Sequence, residues 1–145
     1  MKTEGEMKSN LKIIGAGLTL ALVIGAFASL TPTQVQAQTI DEQKQALIGE
    51  WSGVWPGFHG DVSTLVVHEI DAEKKRARCT YTSPKGTFPV MAEFTPGPNP
   101  EIKFKIDYAE LRFVLHGSTL QANVKGEIRG AQMSNQTTMK RKPGS

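Results

Sequence analysis

The chain has 145 residues, with 17 Lys and Arg against 14 Asp and Glu, a formal net charge of +3, two Trp and one Cys. That length accommodates one domain and excludes a large multidomain enzyme. A single Cys excludes an internal disulfide, and a nucleic-acid face would need clustered Lys and Arg with stacking aromatics. Only Lys74, Lys75, Arg76, Arg78 and the tail Lys140, Arg141, Lys142 cluster, and they read as a solvated turn and terminus, so no nucleic-acid partner is expected.

The segment from Ile13 to Leu30 carries no charge and follows Lys8 and Lys12, the layout of a basic n-region and an apolar h-region. It reads as a signal peptide. Small residues at Val35 and Ala37 place cleavage after Ala37, leaving residues 38–145 as a single domain in the periplasm or outside the cell. Retained instead, the same stretch is long enough to anchor the chain, which would be its only expected membrane association. Met7 offers a second, more conventional start for this leader, because it removes Glu4 and Glu6 from the n-region. The destination is the same.

The mature chain opens on a short helix, since Thr39 and Glu42 stand in capping-box spacing and Gly49 offers a stop. Two to three turns are not stable alone, so Ile40, Leu47 and Ile48 are expected to rest on one end of a β-structure. From Gly49 the period changes from 3.6 to 2, and eight strand-like runs follow. They are Glu50 to Trp55, Val62 to Ile70, Arg76 to Thr82, a run through Phe88 and Phe94, Glu101 to Ile106, Leu111 to Leu115, Leu120 to Lys125 and Ala131 to Met139. The prolines of the TPGPNP segment separate the fourth run from the fifth. Cys79 alternates with Arg78 and Thr80 and shares a face with Ala77 and Tyr81, the pattern of a small buried hydrophobe.

Connections this short imply antiparallel neighbours, because parallel strands need crossovers of a dozen or more residues. The expected fold is all-β: an eight-stranded antiparallel up-and-down barrel, with a two-sheet sandwich as second choice. Gly49, Glu50 and Trp51, between the helix and the first strand, resemble the Gly-x-Trp signature of the lipocalin and wider calycin group. The run GEWSGVW also resembles the start of small secreted bacterial β-barrel domains. In lipocalins the Trp plugs the closed end of the barrel under a basic side chain after the last strand, so the resemblance implies that role for Trp51 with Arg141, or Lys140 beside it. The chain is shorter than typical lipocalins and lacks their disulfide and long C-terminal helix, so the resemblance does not imply ligand binding.

Alternation places Trp51, Trp55, Tyr81, Phe88, Val90, Phe94, Ile102, Phe104, Ile106, Leu111, Phe113, Leu115, Leu120 and Val124 inward, without a carboxylate or His among them. An eight-stranded barrel is either filled by its side chains or holds one small ligand. The expected ligand-facing residues are Trp55 and Tyr81 of the inner wall with Phe58 and His59 of the Gly-rich loop at a barrel mouth. His59, Asp61, His68 and Glu69 form the one local set of metal-capable types. A strand running from Asp61 to His68 spans roughly 23 Å, too far to close three ligands on one ion. His116 reads as a turn residue, and the Asn135-Gln136-Thr137 sequon matters only in a eukaryotic secretory route. No dinucleotide fingerprint, phosphate loop, nucleophile elbow or paired Cys motif is present, so neither cofactor nor enzyme activity is expected. The expected partner is a small apolar molecule or an envelope protein.

Overall fold

A computed structural model describes residues 37–57 and 61–144. The segment expected to be a signal peptide, and Phe58 and His59 of the Gly-rich loop, lie outside the described residues.

Thr39 opens helix α1 (Ile40–Leu47) with a complete capping box. Its hydroxyl accepts from the Glu42 amide at 3.3 Å, and the Glu42 carboxylate accepts from the Thr39 amide at 2.7 Å. Leu47 is fully buried, but Ile40, expected to share that contact, is 48 % exposed. Ile40 sits in the first turn, and the buried position one turn before Leu47 belongs to Gln43 instead. The Gln43 side-chain amide donates to the Gln38 carbonyl and accepts from the Gly97 amide, both at 3.0 Å. Helix α1 is thereby tied to the proline-rich connection rather than merely resting on apolar surface.

Eight strands follow: β1 (Gly49–Val54), β2 (Val62–Asp71), β3 (Arg76–Ser83), β4 (Gly86–Thr95), β5 (Glu101–Ile106), β6 (Ala109–His116), β7 (Thr119–Ile128) and β8 (Ala131–Arg141). Each pairs antiparallel with the next and β8 returns to β1, closing an up-and-down barrel. Closure removes the exposed edges a sandwich would leave. Two-residue turns suit this twist, and Arg129 and Gly130, both at positive φ, make the β7–β8 turn of the primed kind. Polar residues face out, and cross-strand ion pairs such as Arg112–Glu101 at 2.6 Å and Lys103–Glu93 at 3.4 Å decorate the wall. Exposed pairs of this kind contribute only about 0–1 kcal/mol each, so the fold rests on its interior.

Three departures from regular pairing shape that interior. In β2 the register to β3 passes from Val67 opposite Cys79 to Glu69 opposite Arg78, so His68 is an inserted bulge residue. The bulge lets Val67 and Ile70 both point inward while His68 and Glu69 face solvent. Between β1 and β8 only Trp51–Arg141 and Ser52–Lys140 pair through the backbone. Towards the other end the seam is held by side chains: Thr137 donates to the Val54 carbonyl at 2.5 Å and Asn135 to the Pro56 carbonyl at 2.6 Å. Gly53 permits this close approach, because a Cβ there would lie 2.9 Å from Met139 Cγ and 3.0 Å from the Thr138 carbonyl. Finally, β4 pairs with β5 only from Glu93 to Thr95, so the stretch of β4 that contains Pro89 has no ladder to β5. A residue without an N–H is tolerated there.

Candidate functional site

The interior divides into a sealed end and an open one. At the sealed end Trp51 is buried, its indole N–H donates to the Leu47 carbonyl at 2.9 Å, and the Arg141 guanidinium lies 4.7 Å above its ring. Arg141 also donates to the Ile48 carbonyl at 2.7 Å and to the Ala46 carbonyl, satisfying groups that the end of α1 leaves without helical partners. One cation thus covers the aromatic face and caps the helix. Lys142 closes the same corner, its amide on the Glu50 carbonyl at 2.8 Å and its ammonium against the Glu50 carboxylate. Above the indole the barrel is packed with Leu65, Phe94, Ile102, Leu120 and Met139, all fully buried.

At the opposite end the side chains stop short of filling the barrel. They leave a cavity of about 380 Å³, walled by Trp55, Tyr81, Phe88, Ile106, Leu111 and Val124 and rimmed by Asp61, Lys85, Asp107 and Tyr108. Tyr81 belongs both to this wall and to an aromatic cluster of the interior, in which Phe104 stacks on Phe113 with centroids 5.4 Å apart and Tyr81 tilts against them at 5.9 and 6.2 Å. Trp55 is fixed in the wall by two bonds, from its amide to the Asp61 carbonyl at 3.2 Å and from its indole N–H to Ser63 Oγ at 3.1 Å.

The rim is narrowest in backbone support where β4 and β5 part. There the Lys85 ammonium in the β3–β4 turn donates to the Tyr108 hydroxyl in the β5–β6 turn at 2.8 Å and sits 5.3 Å from that ring's centroid. The bond favours the charged form and raises the Lys85 pKa above the ordinary lysine value. Phe88, Val90 and Ile106 flank the parted strands and are only half-buried, unlike the fully enclosed Phe94 and Ile102 where β4 and β5 pair.

Of the four residues expected to face a ligand, Trp55 and Tyr81 line this cavity, and Phe58 and His59 lie outside the described residues. Trp51 and Arg141 meet at the sealed end as described. His68, on the outer wall, bonds Thr80 at 2.8 Å, and Glu69 pairs with Arg78 at 3.5 Å, while Asp61 stands at the mouth. Asp61 therefore stands apart from His68 and Glu69, toward the opposite end of β2. Among the described residues no three His, Cys, Asp or Glu side chains gather to hold a metal ion. His116 ends β6 beside its turn, and the Asn135 amide is engaged by Pro56. Burial pushes the Cys79 thiol up to about 12, away from reactivity.

Sequence reasoning missed Ser63, which is 1 % exposed and faces the cavity. The signal was its parity with Leu65 and Val67 on the same strand. None of the protein families, curated proteins or solved structures compared with the chain matches it.

Proposed function

We propose that this chain is an exported, calycin-like binding module that holds a small apolar molecule in the mouth of its barrel, rather than an enzyme. One observation carries the reading: about 380 Å³ of space with an aromatic and aliphatic wall, at one end of a barrel packed solid at the other. Ligand sites are concave and mostly apolar, with volumes from roughly 300 Å³ upward, and this cavity meets that description. It favours carriage over the second reading of the sequence, a filled barrel acting through its surface as an envelope interaction or inhibitor-like factor. Export rests on the Ile13–Leu30 segment and its flanks.

The test is a pair of substitutions read with an apolar fluorescent probe and with urea denaturation. Trp55→Ala removes part of the cavity wall and is expected to weaken probe uptake at least tenfold. Trp51→Ala opens the packed end and is expected to lower stability while the folded fraction still takes up probe. Equal loss of uptake in both variants would count against the assignment.

A further inference from the structure

Behind its charged rim the described wall of the mouth cavity is apolar apart from three hydroxyls. Ser83 is half-buried, and its oxygen accepts from the Lys85 amide at 3.3 Å. Ser63 and Tyr81 are the two that are buried, and their hydrogens find no acceptor among the described residues. Ser63 Oγ accepts the Trp55 indole N–H at 3.1 Å, which uses an oxygen lone pair and leaves the Ser63 O–H without an acceptor among the described residues. Tyr81 is 6 % exposed, and its hydroxyl has no hydrogen bond among the described residues. No fully enclosed side-chain nitrogen or oxygen there lacks a partner, so the Tyr81 oxygen reaches open space, and the space it lines is the cavity. The two hydroxyls belong together: Leu65 pairs with Tyr81 and Thr64 with Thr82, which puts Ser63 and Tyr81 on adjoining strands as diagonal neighbours of the inner face. Diagonal neighbours stand roughly 7–8 Å apart at the backbone, within reach of one bound group for a side chain as long as Tyr. The N–H donated by Trp55 also polarises the Ser63 hydroxyl and strengthens it as a donor.

Two donors in an apolar wall call for an acceptor oxygen. Its charge follows from the surroundings: the nearest cation of the cavity, Lys85, stands at the rim with its ammonium bonded to Tyr108, beside Asp61 and Asp107. A carboxylate drawn down to Ser63 and Tyr81 would lose its hydration without meeting a positive charge, and the rim carboxylates would repel it. A carbonyl oxygen gives up far less.

Resting on the carrier reading above, we infer that the ligand is a neutral carbonyl compound, a ketone, ester or amide on an apolar body, bound carbonyl-first by the hydroxyls of Ser63 and Tyr81.

Three small probes of one shape test this by NMR titration of the purified protein: acetophenone, ethylbenzene and benzoate. Acetophenone is expected to bind about tenfold more tightly than ethylbenzene, the discrimination of roughly one added hydrogen bond, and benzoate most weakly. Tyr81→Phe deletes only an unpaired oxygen, so it is expected to leave the fold and the ethylbenzene affinity unchanged and to shrink the acetophenone preference to threefold or less. Ser63→Ala strands the Trp55 N–H as well, and its folding is checked by circular dichroism before its preference is compared. Equal binding of acetophenone and ethylbenzene, a benzoate preference, or an acetophenone preference that survives Tyr81→Phe would each overturn the inference and leave the carrier reading standing. Failure of all three probes to shift the cavity methyl signals of Leu111 and Val124 would overturn both.

Discussion

The two ends of this barrel are built from the same alternation of inward apolar and outward polar residues, yet one is solid and the other hollow. At the sealed end the polar groups around the indole are engaged, with the Trp51 N–H on Leu47 and Arg141 on Ala46 and Ile48. The mouth keeps space, parted strands and hydroxyl hydrogens that find no acceptor among the described residues. The difference lies in what crosses the barrel end. A helix with its own orphan carbonyls covers the base and recruits a cation, whereas the mouth is bounded by short turns and the loop after β1. The solid end is where stability is expected to reside, and the hollow end is where the proposed ligand would sit.

The largest expected effect is therefore at the base. Trp51→Ala should cost about 4 kcal/mol in urea denaturation, because a large ring leaves a packed site with little room to collapse. Trp55→Ala should cost less, about 2 kcal/mol, since one side of its ring already faces open space and lacks contacts to lose. A reversed order would break the contrast between the two ends. Arg141→Met keeps much of the aliphatic stem but strands two carbonyls and uncovers the indole, so about 2 kcal/mol is expected, and Arg141→Lys should restore little of it because one ammonium cannot reproduce the planar fork.

Smaller effects sharpen the picture of the mouth. Tyr108→Phe removes the bond that spans the parted β4 and β5 at the rim, yet both partners are exposed, so stability should change by less than about 0.5 kcal/mol. Its expected signature is kinetic: faster dissociation of a bound apolar probe in stopped-flow measurements, with affinity nearly unchanged. Unaltered rates would show that the Lys85–Tyr108 contact does not restrain the opening.

Cys79 gives the smallest signal near neutral pH and the most distinctive one in alkali. Burial raises its thiol from 9.0 to about 12, so the folded chain holds a proton that the unfolded chain releases between those values. Stability should then be unaffected by this group below pH 9 and fall as pH rises from 9 towards 12. Cys79→Ala should flatten that part of the profile, and the native thiol should resist alkylation at pH 8 until the protein unfolds.

The barrel and its strand count were legible because its outer face is wet, so runs such as Glu101 to Ile106 alternate charged and apolar residues without interruption. The helix was legible from Thr39 and Glu42, but not the exposure of Ile40, which depends on Gln43 finding Gly97 across the chain. Trp55 and Tyr81 could be read into the cavity by parity. Ser63 escaped because a serine reads as an outward residue, although its parity with Leu65 and Val67 is unbroken until the bulge at His68. The parting of β4 from β5 left no local trace apart from Pro89. Whether inward residues fill a barrel is a question of volume summed over all eight strands, and no single segment records it.

The most direct measurement is native mass spectrometry of the mature protein taken from a periplasmic or culture-supernatant preparation, compared with the same sample after denaturation. The expected result is an added mass of a few hundred daltons that disappears on denaturation and is diminished in Trp55→Ala but kept in folded Trp51→Ala. A bare monomer that also fails to take up an apolar probe would contradict the account, and turn attention to the outer wall of the barrel and a protein partner.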